Sequence, residues 1–313
     1  MKNAKLVTNI IIAILAILGY KLVKEKGECI VNYSFKAIYK TEKPNEEVNL
    51  LGDINFIIEE MIIDGKKVDS CTEYTFELNG THSVLVSVDL SHTSSLEYMF
   101  YDSEIISISF TEKFNTEKIV NMNNMFDSCT KLTSIDLSVF NTRNVLGMQG
   151  MFSECTSLKS IDLSNFNTEL ANNMDSFFYK CISLTSIDLS NFNTKNIGIM
   201  AKFFSGCNSL TSINLSNFNT EKVNEMNGMF RDCTSLKVIN LSSFDTSKVE
   251  KMNNMFLNCN KLVSLNLSNF NTIKVEVMNG MFNSCYSLIS LDITSFDTQN
   301  VKKCLLCSII ATL

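Results

Sequence analysis

The feature that most constrains this chain is a 26-residue periodicity that runs without insertion or deletion through most of its length. The pair Met125-Phe126 recurs as Met151-Phe152, Phe177-Phe178, Phe203-Phe204, Met229-Phe230, Met255-Phe256 and Met281-Phe282. The same step carries Cys129 through Cys155, Cys181, Cys207, Cys233, Cys259 and Cys285, and Leu132 through to Leu288. One such unit cannot cover its own Leu, Ile, Met and Phe side chains. The units must therefore stack and bury them as ladders.

Within one unit the spacing changes character. Val145, Met148, Met151, Phe152, Cys155 and Leu158 follow one another at steps of three and four, which places them on one face of an expected helix or near-helical turn. Leu158, Ile161 and Leu163 then read as a short strand, with period two around Ile161 and Leu163. Phe166 plugs the corner, and Asn167-Thr168 opens the next unit. The Asn167 column also holds Asn141, Asn193, Asn219, Asp245, Asn271 and Asp297. Asn and Asp share an acceptor oxygen, so this column is expected to accept a backbone N–H at a turn or a helix N-cap. A charge in a ladder should separate neighbouring units, as with Leu189→Asp.

The consensus V-x-x-M-x-x-M-F-x-x-C-x-x-L-x-x-I-D/N-L-S-x-F-N/D-T resembles the BspA-like leucine-rich repeat, the repeat of a family of bacterial surface proteins. The resemblance runs from about Ile119 to Thr298, with a degenerate unit ahead of it at Leu96, Met99, Phe100 and Phe114. It implies a surface-exposed or secreted protein that adheres or binds to other proteins, and it brings no catalytic residues. The expected fold is an α/β solenoid: a leucine-rich-repeat array with a parallel β-sheet on one face and helical turns on the other, preceded by a small β-rich N-terminal cap.

The chain divides accordingly. Residues 1–23 read as a signal peptide or N-terminal membrane anchor, because Lys2 and Lys5 precede the apolar run from Ile10 to Leu18. Residues 24–92 alternate like strands and hold an Asp64-Gly65 turn, which makes them the β-rich cap. Residues 93–118 are the degenerate first repeat, 119–300 the seven regular repeats, and 301–313 a truncated eighth in which Cys304 and Cys307 replace two methionines. Secretion or cell-surface display follows as the expected localisation, with membrane contact only through the N-terminal segment.

Composition narrows the function. With 45% apolar and 19% charged residues the chain folds rather than staying disordered, and a net charge of −6 argues against nucleic acid. The cysteine column contains no histidine and reads as buried thiols filling a ladder, with Cys29 and Cys71 as a guessed disulfide. His82 and His92 lie in or beside the cap, outside any nucleophile motif, and no phosphate-loop, dinucleotide or zinc-protease fingerprint occurs. No enzyme, cofactor or metal centre is expected.

The remaining candidate is the outward face of the strands. Ser134, Asp136 and Ser138 point outward beside Ile135 and Leu137, and Asp162, Asp188, Asn214, Asn240, Asn266 and Asp292 continue the Asp136 column. Asp136, Asp162 and Asp188 could form a weak cation site or a solvated polar ladder. The expected partner is a protein, such as a host or neighbouring-cell surface protein, engaged through this face. The alternative is a structural protein that self-associates through the ends of its array.

Overall fold

The structure is a computed structural model that describes the backbone at Val23–Glu25 and Glu28–Ile30 and, continuously, residues 33–302. Strands β1 (Val23–Glu25) and β2 (Glu28–Ile30) pair antiparallel. The cap proper contains β3 (Phe35–Thr41), β4 (Glu46–Asn49), β5 (Ile57–Ile63), β6 (Lys66–Val68), β7 (Glu73–Phe76) and β8 (Gly80–Asp89). β3 alternates buried and half-exposed residues, as a strand with one covered face must. It pairs antiparallel with β8, which pairs with β5, which pairs with β6; β4 and β7 form a separate two-stranded sheet.

β3 has a second neighbour, β9 (Ser107–Phe110), in the degenerate repeat, and β9 pairs in parallel with β10 (Ser134–Asp136) of the first regular repeat. The cap sheet therefore continues edge-on into the repeats, across the expected boundary at residue 92. Phe35 packs edge-on against Phe100 and Phe114, at 5.3 and 6.1 Å, so that the hydrophobic core is continuous from cap to repeats.

Beyond β10 the expected architecture does not form. Among the described residues there is no helix. The strand segment is paired only in patches: β11 (Ser212–Ile213) with β12 (Val238–Ile239), and β13 (Ser264–Asn266) with β14 (Ser290–Asp292), each pair parallel. The α/β solenoid with a continuous parallel sheet and helical turns is thus corrected to a helix-free, turn-rich stack with small separate sheets.

The reason lies in two backbone columns. Asn124, Gly150, Ser176, Lys202, Gly228, Asn254 and Gly280 all adopt positive φ of 53 to 68°, and so do Ser128, Glu154, Lys180, Gly206, Asp232, Asn258 and Ser284 at 54 to 78°. A left-handed residue every four positions breaks a right-handed helix before one turn closes. What replaces it is a run of tight turns. Met151 N–H donates to the Met148 carbonyl and Cys155 N–H to the Phe152 carbonyl, with Gly150 and Glu154 at the third position, where a type II turn takes positive φ. The intervening N–H groups leave the unit: Gly150, Phe152 and Glu154 donate to the carbonyls of Asp175, Phe177 and Tyr179 in the next one, at 2.6 to 3.1 Å. Backbone groups that a helix would satisfy internally are satisfied between repeats. Turns of three residues reproduce the same three-and-four spacing of apolar side chains that a helix gives.

The ladders themselves form as expected. Rings of Phe100, Phe126, Phe152, Phe178, Phe204, Phe230, Phe256 and Phe282 stack in one file with centroids 5.1 to 6.0 Å apart. That spacing is close to the ~4.8 Å between neighbouring strands, with offset rings taking up the difference. The regular repeats from Val145 to Leu262 bury their ladder Val, Met, Phe, Cys and Leu side chains completely.

Candidate functional site

The strand-face residues sit in a strip whose exposure follows from the fold. Ser134, Asp136, Ser138, Asp162, Asp188, Asn214, Asn240 and Asn266 are solvent-exposed and Asp292 is half-buried. Leu137, Leu163, Leu189, Leu215, Leu241 and Leu267 beside them face the core. Each Asp or Asn of this column has a local task. Asp136 Oδ1 accepts the Ser138 N–H at 3.0 Å, and Asp162, Asp188, Asn214, Asn240, Asn266 and Asp292 do the same for the residue two positions on, at 2.9 to 3.1 Å. These are Asx turns, which set the corner after the strand. The bonds donated to Asp162 and Asp188, chiefly by the backbone N–H of Ser164 and Ser190, hold their carboxyls below the usual carboxylate range. Among the described residues no three His, Cys, Asp or Glu side chains cluster in a way that could hold a metal ion.

Ser134 and Asp136 alone of the candidates line a depression, of about 370 Å3, at the junction of cap and repeats with Lys36, Ile38, Ser107 and Ile108. The remaining candidates run along the strip outside it. Farther along, the exposed strand segments change chemistry. In the column otherwise filled by Ser134, Ser160, Ser186, Ser212, Ser264 and Ser290 stands Val238, 60% exposed. Val263 and Ile289, successive members of the neighbouring column, are 41% and 77% exposed and joined by the Ile289 N–H bond to the Val263 carbonyl. The sequence reading passed over these three because single apolar residues in a polar column do not disturb the repeat.

The other polar columns hold the stack together. Each buried threonine of the Asn-Thr step bridges to the next repeat. Thr142 Oγ1 donates to the Asn167 carbonyl at 2.9 Å and accepts its N–H at 2.8 Å, and the pattern recurs from Thr116 to Thr272. Asn167 Oδ1 in turn accepts the Glu169 N–H at 2.9 Å, so the expected backbone acceptor is present, at a turn rather than a helix cap. Asn165, Asn191 and Asn217 each donate through Nδ2 to three carbonyls of the preceding repeat, one of them at the longer distance of 3.3 Å, and Asn269 to two, a role the sequence reading did not assign.

The cysteines are structural thiols. Cys155 Sγ–H donates to the Phe126 carbonyl at 3.2 Å, and the other six column thiols make the equivalent bond at 2.9 to 3.2 Å. Burial pushes Cys155 and Cys207 far up in pKa, Cys233 up to about 12 and the half-buried Cys285 up to about 11. Thiols held in that state are poor nucleophiles. Cys71 is a free thiol 3.8 Å from Met61 Sδ, whereas the Cys29 side chain, and with it the guessed Cys29–Cys71 bridge, lies outside the described side chains. His82 is buried in the cap, bonded to Asp64 Oδ2 at 2.7 Å and Thr41 Oγ1 at 3.0 Å, with its ring on Phe76. That environment pins strands together. The expected signal peptide or anchor (residues 1–23) and the Cys304/Cys307 pair lie outside the described side chains. Among the described residues no helix is long and apolar enough to cross a membrane.

A helix-free stack of turn-rich repeats, with its polar columns spent on inter-repeat bonds and one exposed strip, defines the class. The chain belongs to the family described as Mycoplasma protein of unknown function, DUF285, which matches residues 94–212, 183–264 and 200–306. This assignment replaces the BspA-like leucine-rich-repeat family that the consensus resembles, and with it the leucine-rich-repeat solenoid; nothing in the family match supports the signal peptide or membrane attachment expected from residues 1–23. No curated protein matches the chain. Among solved structures it is similar to a chain of the crystal structure of a TLR13-ssRNA13 complex, at 17% identity over 58% of this chain and 32% of that chain. The TM-score is 0.24, too low to carry any argument about fold or ligand.

Proposed function

We propose that this protein is a non-enzymatic binding module that engages a protein partner through the exposed strip of its strand segments. The observation that carries this reading is the apolar trio Val238, Val263 and Ile289 on an otherwise Ser, Thr, Lys and Asx surface. Exposed apolar side chains rimmed by polar ones are the usual composition of a protein contact, whereas scattered small polar residues are not. The Asx column, from Asp136 to Asn266, supplies the polar rim. Secretion or display at the cell surface belongs to the proposal, as the setting in which such a strip would meet a partner protein on another cell.

The test is adsorption of labelled full-length protein to intact cells bearing the partner, compared with V238S/I289S. Saturable, protease-sensitive binding that the double substitution weakens at least about tenfold, or about 1.4 kcal/mol, supports the proposal. Absence of saturable binding, or equal binding by the variant, overturns it.

A second reading is self-association at the C-terminal end. There Phe282, Cys285, Ile293 and Phe296 are only partly buried, unlike their counterparts within the stack. Light scattering separates the two: concentration-dependent growth favours assembly, and a monomer at all concentrations favours the binding module.

A further inference from the structure

On the turn side of the stack lies a groove of about 400 Å3 that the strand-face reading does not use. Its origin is the placement of two glycines. Gly206 falls between Lys180 and Asp232 in the Ser128 column, and Gly228 falls between Lys202 and Asn254 in the Asn124 column. Side chains missing from both columns in adjacent repeats leave a dent, walled by Tyr179 and Lys180 on one side and by Asp232 and Asn254 on the other.

The walls are basic in a chain whose net charge is −6: Lys180, Lys202 and Arg231 face a single lining carboxylate, Asp232. Lys180 is held by Glu154 at 2.7 Å, and Arg231 Nε by Asp232 at 3.0 Å. Lys202 makes no close ion pair among the described residues, only a longer-range attraction with Asp175, and its Nζ stands 5.8 Å from the Tyr179 ring centroid. The groove also contains Asn227, whose Oδ1 is the one buried side-chain polar atom, among the described residues, without a hydrogen-bond partner. Such an orphaned acceptor is costly unless a donor reaches it. One cation outside any close ion pair, beside two that are paired and an acceptor that lacks a donor, describes the complement of one kind of ligand.

We propose that this groove binds a hydroxylated anion of monosaccharide size, a sugar carboxylate or sugar phosphate. Its charged group lies against Lys202 and Arg231, and one hydroxyl donates to Asn227 Oδ1. The volume is that of a small-ligand site. The largely polar lining, with Ser205, Asn253 and Asn254 completing it, suits a sugar better than an apolar ligand. The proposal stands independently of the strand-face partner.

The test is calorimetric and NMR titration of the full chain with glucuronate and glucose 6-phosphate, against glucose and acetate as probes carrying only hydroxyls or only charge. Both sugar anions are expected to bind, and glucose and acetate at least about tenfold more weakly. Lys202→Gln should weaken the sugar anions about tenfold or more, and Gly228→Asn should abolish binding by filling the groove. Asparagine already adopts the same positive φ at Asn124 and Asn254, so that variant keeps the fold, which an unchanged thermal melt would verify. No titration up to about 10 mM, acetate binding as well as glucuronate, or retained affinity in both variants overturns the proposal.

Discussion

Thr168 and Asn193 are joined twice by one hydroxyl: Thr168 Oγ1 donates to the Asn193 carbonyl at 3.0 Å and accepts the Asn193 N–H at 2.8 Å. The hydroxyl is fully buried, and the same pair of bonds recurs through the stack. This threonine ladder does for successive turns what a sheet ladder does for strands. It satisfies main-chain groups where the repeats are not paired as strands.

Removing the hydroxyl should therefore cost more than its size implies. Thr168→Val keeps the shape but leaves the Asn193 N–H and C=O without their partner, a loss of about 2–4 kcal/mol. Thr168→Ser keeps both bonds and should lose about 1 kcal/mol for the missing methyl group. Urea denaturation checks this; a valine variant as stable as the parent would show that the ladder contributes nothing.

The buried thiols predict an alkaline weakness. Their pKa is raised by burial in the folded protein, whereas in the unfolded chain they titrate near the ordinary value of 9.0. Below that value both states hold the proton and the thiols make no pH-dependent difference. As pH rises from about 9 towards the folded value, only the unfolded state releases protons, so stability falls by up to ~1.4 kcal/mol per pH unit for each thiol. Melts between pH 7 and 10.5 should show this loss, and Cys181→Ala should make it shallower. Parallel profiles for parent and variant would contradict the assignment.

A third prediction concerns the cooperative reach of a repeat. Leu189 is 2% exposed in the middle of the stack. Leu189→Asp places an unpaired charge between neighbouring leucines of the ladder, at a cost of at least about 3 kcal/mol. Because each repeat gives its backbone bonds to the next, protection from hydrogen exchange should fall in several central repeats together. Loss confined to the one repeat would contradict that coupling.

Much of this arrangement is legible in the residues. The period, the inward file of Val, Met, Phe, Cys and Leu, and the acceptor role of Asn167 all follow from side-chain type alone. The helix does not, because Val145, Met148, Met151, Phe152 and Cys155 have the same spacing in consecutive turns as in a helix. The distinguishing signal was present at Gly150, Gly228, Gly280 and Asn254, residues that tolerate positive φ, at positions a helix would fill with better helix formers. The strand-face column was legible as exposed, but its Asx turns depend on backbone course. The groove at Gly206 and Gly228 was not legible, since it depends on the turn backbone that brings both glycines, Lys202 and Arg231 around one dent.

The central claim is that main-chain hydrogen bonds run from repeat to repeat and not along a helix. The most direct measurement is the through-hydrogen-bond scalar coupling of the Phe152 amide nitrogen in a deuterated, isotope-labelled sample. The structure places that N–H 3.1 Å from the Phe177 carbonyl oxygen, so a coupling to the Phe177 carbonyl carbon is expected. A coupling to the Met148 carbonyl carbon, four residues back as in an α-helix, would contradict the account.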